Sequence, residues 1–468
     1  MASTPSWTKS LAPYTTGCSP SATAAITAEL EELVRVIRST PAIDNHATPL
    51  LGRKEPGSLP LLATIAAGKG DNPDAVQMTL GQQRALRQLA VALHCEPSWD
   101  VVSHAIRNKR LDEAEYVKWV AKCLAGVETI LFDDGPRDRN KMHDLTWHDR
   151  FMSGNCKRIF SIETVAAEII DSHAKAYYHS SITSSGRRRR QSSDDVFDRM
   201  LDDFGIAVKQ AIENMDIAAF SSVIGHRTGL GIRKAVDIAA ARDSFEDIVE
   251  NYGILGKFTT VSHKGLGDLF IHHTAVLIRE YSTNFRKPIQ FHTFLGGSDA
   301  SVVNCNPALL ENFIRAYPVV PIILLNASYP YAREAGCLAS MHLNVHVDIG
   351  KICPSISQGG QETVLREILE LCPWSKILWG TGANDTPESF LLANMQGREA
   401  LKTVLCDLVW KGHLSCKDAV ELSKAVLFEN SNRLYNLELS LSGLLDSTDG
   451  TDTSDETSDD DDDNDDSD

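Results

Sequence analysis

AIDNHATPLL, residues 42–51, decides how the rest of the chain is read. Ala42 and Ile43 give an apolar approach, Asp44, Asn45 and His46 follow at once, and the run leaves through Pro49. This is a short buried strand whose far end carries polar side chains. The same grammar recurs downstream in VETILFDDG (127–135), KRIFSIE (157–163), MDIAAFSSVI (215–224), KPIQFHT (287–293), PVVPIILLNAS (318–328), NVHVDIG (344–350) and SKILWGTG (375–382). Stretches with helical spacing lie between them, among them TVAAEIIDSHAKAYYH, KGLGDLFIHHTAVLIREY and QETVLREILELC. Eight strand–helix units predict a parallel sheet, and eight is the number that closes a TIM-type (β/α)8 barrel.

Around this barrel the chain divides by composition. Residues 1–20 are polar with three prolines and read as a flexible arm. Residues 21–39 space Ile26, Leu30, Leu33 and Ile37 as one helix face. The barrel is expected over 21–437, with 52–126 as a helical insertion after strand 1 in which 84–95 and 113–125 are the clearest helices. Residues 180–195 (SSITSSGRRRRQSSDD) interrupt a helical region and read as a solvated, mobile loop; Arg187–Arg190 also suit a nuclear-localisation signal or an anion patch. From Gly443 to Asp468 the composition predicts a disordered acidic tail, a solubility aid or a contact for a protein partner.

That tail distorts the overall charge. The 468 residues carry a net −17, but thirteen acids and no base lie between Asp446 and Asp468. Without them 46 basic residues face 50 acidic ones, so the folded body is only mildly acidic. Neither a general field for nucleic acid nor an apolar run long enough to span a membrane is present in the sequence. The start, MASTPSWTKS, lacks the basic-then-apolar order of a secretory signal, and none of the ten cysteines forms C-x-x-C. Both point to reduced thiols and a cytoplasmic protein.

Chemistry in such a barrel collects at the C-terminal strand ends. Those ends carry Asp44, Asn45, His46 and Thr48; Asp133 and Asp134; Glu163; His226 and Arg227; His292 and then Asp299; Asn326; Asp348; and Gly382, Asn384 and Asp385. Such a polar ring suits a small-molecule ligand. Arg227 and Arg333 can clamp an anion, and each can equally form a structural ion pair. Asp133 and Asp134 read as a strand end that caps a turn, with catalysis the minor alternative.

With AIDNHATPLL, ETILFDDG (128–135), FSIETVAAEI (160–169), HRTGL (226–230), IQFHTFLGG (289–297), LLNASYPYAREAGCLA (324–339), KILWGTGAND (376–385) and LFENSNRLYNL (427–437), the chain resembles the amidohydrolase-related family known as amidohydrolase 2. More narrowly it is similar to the barrel domain of fungal and plant nodulin/glutamine-synthetase-like fusion proteins, with no ligase half expected after residue 437. The resemblance implies a metal pattern of His-x-His on strand 1, His on strands 5 and 6, and Asp on strand 8. His46 and His292 match it; Thr48, Asn326 and Gly382 do not, and Ser221 stands where many relatives carry Lys. The implied site is degenerate: no cofactor, or a weak divalent metal, zinc if any, on His46 and His292. The expected catalytic residues are His292, His46 and Asp385, and the expected substrate-binding residues are Arg227, Asn326, Arg333, Glu163 and Asp299. Two functions follow. The first is a hydrolase-type barrel that has become a pseudoenzyme or ligand-binding protein. The second is an active hydrolase or decarboxylase for a small acidic or aromatic substrate, with an unconventional or metal-free site.

Overall fold

A computed structural model describes residues 20–53, 76–133, 135, 139–183, 192–282, 285–297 and 300–441. Arg187–Arg190, Asp134, Asp299 and the acidic tail lie outside the described residues. All eight expected strands form. They are β1 (Ala42–Ala47), β2 (Val127–Asp133), β3 (Lys157–Ser161), β4 (Ile217–Ser222), β5 (Ile289–His292), β6 (Ile322–Leu325), β7 (Val345–Asp348) and β8 (Ile377–Leu378). Their spatial order is their order in the chain, and every pairing is parallel. The ring is drawn together between its last and first strands by Asn45 N–Trp379 O at 3.2 Å, Gly382 N–His46 O at 3.0 Å and Thr48 N–Ala383 O at 3.0 Å.

β6 is buried on both faces, which is why it reads IILL without alternation. Inside the ring Leu131, Ile159, Ala218, Ala219, Ile323, Leu325 and Leu378 form a small core with Tyr435. A much larger core lies between the strands and the helices: α1 (Pro20–Ser39), α5 (Ile162–Thr183), α6 (Ser193–Glu213), α7 (Ile238–Glu250), α8 (Lys264–Tyr281), α9 (Ala332–Met341), α10 (Gln358–Leu369), α11 (Pro387–Trp410) and α12 (Cys416–Lys424). Between β1 and β2 lie α2 (Leu80–Leu93), α3 (Trp99–Leu111) and α4 (Glu113–Cys123). α3 escapes the sequence reading because it buries only Val102 and Ile106, so its apolar period is faint. These helices settle on α11: Ala85, Leu89, Val102 and Ile106 cluster with Leu392, and Trp119 Nε1 donates to the buried Glu388 carboxylate at 2.6 Å.

The N-terminal end of the barrel is stopped by the chain's last described helices, Ala425–Glu429 and Asn430–Leu434. Asn430 Nδ2 donates to the carbonyls of Trp374 (2.7 Å) and Ile377 (2.8 Å) at the start of β8. Leu434, Tyr435 and Leu437 then enter or flank the interior core, and the Tyr435 hydroxyl reaches the layer beneath the mouth.

Candidate metal centre

Three strand ends converge. The ligand-capable atoms of His46 (β1), Asp133 (β2) and His292 (β5) all lie within 4.8 Å of one another. The two imidazoles meet edge to face with centroids 4.8 Å apart, and His226, in the short helix Ile224–Arg227 after β4, sits 5.7 Å from His292. His46 is buried at 5% exposure and its Nδ1 lies 2.7 Å from Gln290 Oε1. Burial, above all, lowers the pKa of this ring, so it is held neutral. Asp133 is fixed on both oxygens: Ser221 Oγ donates to Oδ2 at 2.5 Å, and Gly135 N donates to Oδ1 at 2.8 Å. The turn cap foreseen for Asp133 is therefore present, and the same carboxylate also faces the two histidines.

Two imidazoles and a carboxylate are the donor chemistry of many divalent sites. With bonds of about 2.0–2.2 Å, donor atoms round one zinc stand roughly 3–4 Å apart. The cluster needs only a modest contraction to reach that, so the residues fit a cation.

Other carboxylates near the mouth differ in how they are satisfied. Glu163, at the head of α5, is 6% exposed and accepts from Ser222 Oγ at 2.6 Å through Oε1, while Oε2 has no hydrogen bond among the described residues. Burial pushes its carboxyl up to about 7, and the charge of Asp133 adds to the rise. Asp44 is tied to the Thr381 hydroxyl and to Thr381 N at 2.8 Å. Asp348 accepts from Asn45 Nδ2 at 2.8 Å and Asn326 N at 3.0 Å. Both serve the backbone under the mouth.

The other expected site residues that are described do not join this cluster. Asp385 accepts from Thr48 Oγ1 at 3.2 Å and donates its N–H to the same oxygen at 3.1 Å, a clip between the β8 and β1 loops rather than a fourth donor. Asn326 turns its Nδ2 to the Phe294 carbonyl at 2.6 Å and begins a run of left-handed residues with Ala327 and Ser328. Gly382 has φ +57°, and a Cβ there would stand 2.6 Å from Lys351 Cβ. Arg333 lies on α9, exposed, and pairs with Glu367 of α10 at 3.0 Å; this is the structural ion pair left open above. Arg227 is exposed while its neighbour His226 approaches the histidines.

Three further residues at the cluster are not among those expected from the sequence. Gln290 shares a strand face with His292 by the period of two, a usable signal. Lys351, with φ +61° just after β7, is close enough for its charge to act on His46. Tyr435 gives no local signal at all.

No protein-family profile matches the chain. Protein fluG of Emericella nidulans is 35% identical over 417 residues, an alignment that takes in 88% of this chain and 47% of that protein. The chain thus spans about half the length of the curated relative it matches. Among solved structures, a protein of Lactobacillus casei ATCC 334 named as a metal-dependent hydrolase superposes with a TM-score of 0.68 at 22% identity, over 87% of this chain and 98% of its own. The uronate isomerase of Thermotoga maritima superposes with a TM-score of 0.57 at 13% identity, over 87% and 97%. The fold these superpositions share is the eight-stranded parallel TIM-type barrel. No helix among the described residues is long and apolar enough to cross a membrane.

Proposed function

We propose that the protein is a divalent-metal-dependent enzyme of hydrolase type acting on a small anionic molecule, an outlying member of the amidohydrolase-related group with an unconventional ligand set. One observation carries this reading: the donor atoms of His46, Asp133 and His292 gather within 4.8 Å at the barrel mouth. In this proposal Asp133, from β2, stands in for the carboxylate that the resemblance puts on strand 8. A cation bound there supplies Lewis acidity toward a polar substrate bond and toward water.

The chain's own residues supply the rest. Gln290 holds the His46 ring, and Ser221 and Gly135 hold Asp133, so the donors are aimed before anything binds. Glu163 is the proton carrier: its Oε2 is buried without a hydrogen bond among the described residues, and its carboxyl, pushed up to about 7, can both give and take a proton near neutrality. Lys351, whose charge acts on His46, and His226, whose ring lies 5.7 Å from that of His292, receive the anionic part of the substrate.

Calorimetric titration of chelator-treated protein with Zn2+ and Mn2+, followed by a screen of small carboxylate-bearing esters, lactones and amides, tests the proposal. About one cation per chain and metal-dependent turnover are expected, with Glu163→Gln lowering turnover and leaving the cation in place. A wild-type chain that takes up no divalent cation sinks it. A second reading, a ligand-binding pseudoenzyme, draws on Thr48, Asn326 and Gly382, none of which offers a donor to the cluster. It gains if anionic ligands bind and no substrate turns over.

A further inference from the structure

The hydrogen bonds beneath the mouth have only one consistent polarity. The Asn45 side-chain amide donates from Nδ2 to the Trp379 carbonyl at 2.7 Å, and a backbone carbonyl can only accept. Asn45 Oδ1 is thereby left as an acceptor, and the Tyr435 hydroxyl donates to it at 3.1 Å. With its proton so used, the Tyr435 oxygen accepts from Gln290 Nε2 at 2.8 Å. Gln290 Nε2 also donates to the Asn45 carbonyl at 2.9 Å, a second acceptor-only partner, so the Gln290 amide cannot turn over. Its Oε1 must then face His46 Nδ1, 2.7 Å away, and accept from it.

We infer that Tyr435 and Gln290 are positioning residues that fix His46 as the Nδ1–H tautomer, so that Nε2 carries the lone pair. The value of this inference as metal chemistry rests on the function proposed above; the tautomer itself does not. In small imidazoles the Nε2–H form is the commoner one, so a ring left to itself would carry its proton on the nitrogen that a ligand or a general base needs bare. Tyr435 comes from the segment that stops the opposite end of the barrel, 390 residues from Asn45 in the chain. The segment that carries Tyr435 therefore does two things: it closes the interior core and, through two side-chain amides, sets the readiness of a histidine at the mouth. Metal-ligating histidines are commonly oriented by such a partner, and its loss lowers metal affinity by about 10–100-fold.

The test is direct observation of the ring nitrogens by 15N NMR in chelator-treated protein at pH 8, with His46→Gln to assign the signal. Wild type is expected to show a protonated Nδ1 and a bare Nε2. Gln290→Leu should move His46 to the Nε2–H form. Gln290→Glu, which keeps an acceptor opposite Nδ1, should restore Nδ1–H. Tyr435→Phe, the mildest change, should give a mixture and weaken Zn2+ binding by roughly 3–10-fold, below the loss expected for Gln290→Leu. An Nε2–H ring in wild type, or a His46 signal indifferent to both Gln290→Leu and Tyr435→Phe, overturns the inference. Absence of Zn2+ binding in wild type with the expected tautomer pattern counts against the proposed function and leaves the positioning role standing.

Discussion

The two halves of the barrel mouth use polar residues in opposite ways. On the β1–β5 side, His46, Asp133 and His292 bring ligand-capable atoms toward one another, the first held by Gln290 and the second by Ser221. On the β6–β8 side, Asn326, Asp348 and Asp385 turn theirs onto the Phe294 carbonyl, Asn45, Asn326 N and Thr48. Both halves are lined by residue types that a sequence reading would offer as ligands. What separates them is where those atoms gather: His46, Asp133 and His292 bring theirs within 4.8 Å of one another, whereas Asn326, Asp348 and Asp385 spend theirs on neighbouring chain segments. A carboxylate has about four acceptor sites, so Asp133 can cap a turn, accept from Ser221 and still offer lone pairs. An amide such as Asn326 that donates to a buried carbonyl has far less left.

A matched pair of substitutions can break this comparison. Asp348→Asn leaves one oxygen where two acceptors are needed, against Asn45 Nδ2 and Asn326 N, and sets a new N–H against a donor. A loss of about 3 kcal/mol in chemical denaturation is expected from breaking a buried network of this kind. Asp133→Asn keeps its oxygen for Gly135 N, and the Ser221 hydroxyl, unlike an N–H, can turn and accept from the new amide, so a smaller loss, about 1–2 kcal/mol, is expected with metal binding abolished. If Asp348→Asn removed metal binding and left stability unchanged, the division between the two halves would be wrong.

Putting the acid back on strand 8 probes the same division from the other side. Gly382→Asp forces a side chain into a left-handed backbone and against Lys351. Strain of about 1–2 kcal/mol, with overpacking of similar size, predicts a destabilisation of roughly 2–4 kcal/mol. Zn2+ affinity should not rise. A tighter-binding, equally stable variant would mean that the β8 loop adapts to a ligand.

Much of the fold was legible in the sequence, because each strand is a short apolar run and most helices repeat an apolar face. α3 was not, since it shows only Val102 and Ile106 to the core. Within the site, His46 and His292 could be read because imidazoles at strand ends have few other duties there. Asp133 was visible at its strand end but was explained too soon by its turn, which accounts for only one of its oxygens. Gln290 and Tyr435 matter through which atom faces which neighbour, and that is settled only when β1, β5 and the segment after Leu434 are brought together. Arg333 shows the converse: the right residue type for an anion, on a helix surface beside Glu367.

The loop beside the donor half should respond to acid. His148 is buried, its Nδ1 bonded to the Asp144 carbonyl at 2.6 Å, and its Nε2 accepts from Leu50 N at 3.1 Å just beyond β1. Burial lowers its pKa to about 4. An unfolded chain takes up this proton near pH 6.5, so between about 6.5 and 4 the unfolded state binds more protons and stability falls as the pH falls. Asp44 and Glu163, both raised to about 7, act in the opposite direction over much of that range, so the wild-type slope alone is ambiguous. The difference from His148→Gln isolates the ring. From pH 7 to pH 5 the wild type should lose about 2 kcal/mol more than the variant, by denaturant titration at each pH. Parallel pH dependences would show that the ring titrates normally.

The smallest effect should come from the residue that looked most like an anion clamp. The Arg333 side chain is 78% exposed, and its partner Glu367 is 24% exposed. An ion pair between exposed side chains gains little Coulomb energy in water and loses side-chain freedom in forming, so it contributes about 0–1 kcal/mol and is weakened by salt. Arg333→Ala should therefore shift stability by less than about 0.5 kcal/mol, less still in high salt, and leave both Zn2+ affinity and binding of small carboxylates unchanged. Lys351→Ala supplies the contrast: it removes a charge that acts on His46 and should weaken carboxylate binding without a matching loss of fold. If the two variants behaved the other way round, anion recognition would belong to the outer helices, and the mouth would hold a metal without holding the substrate.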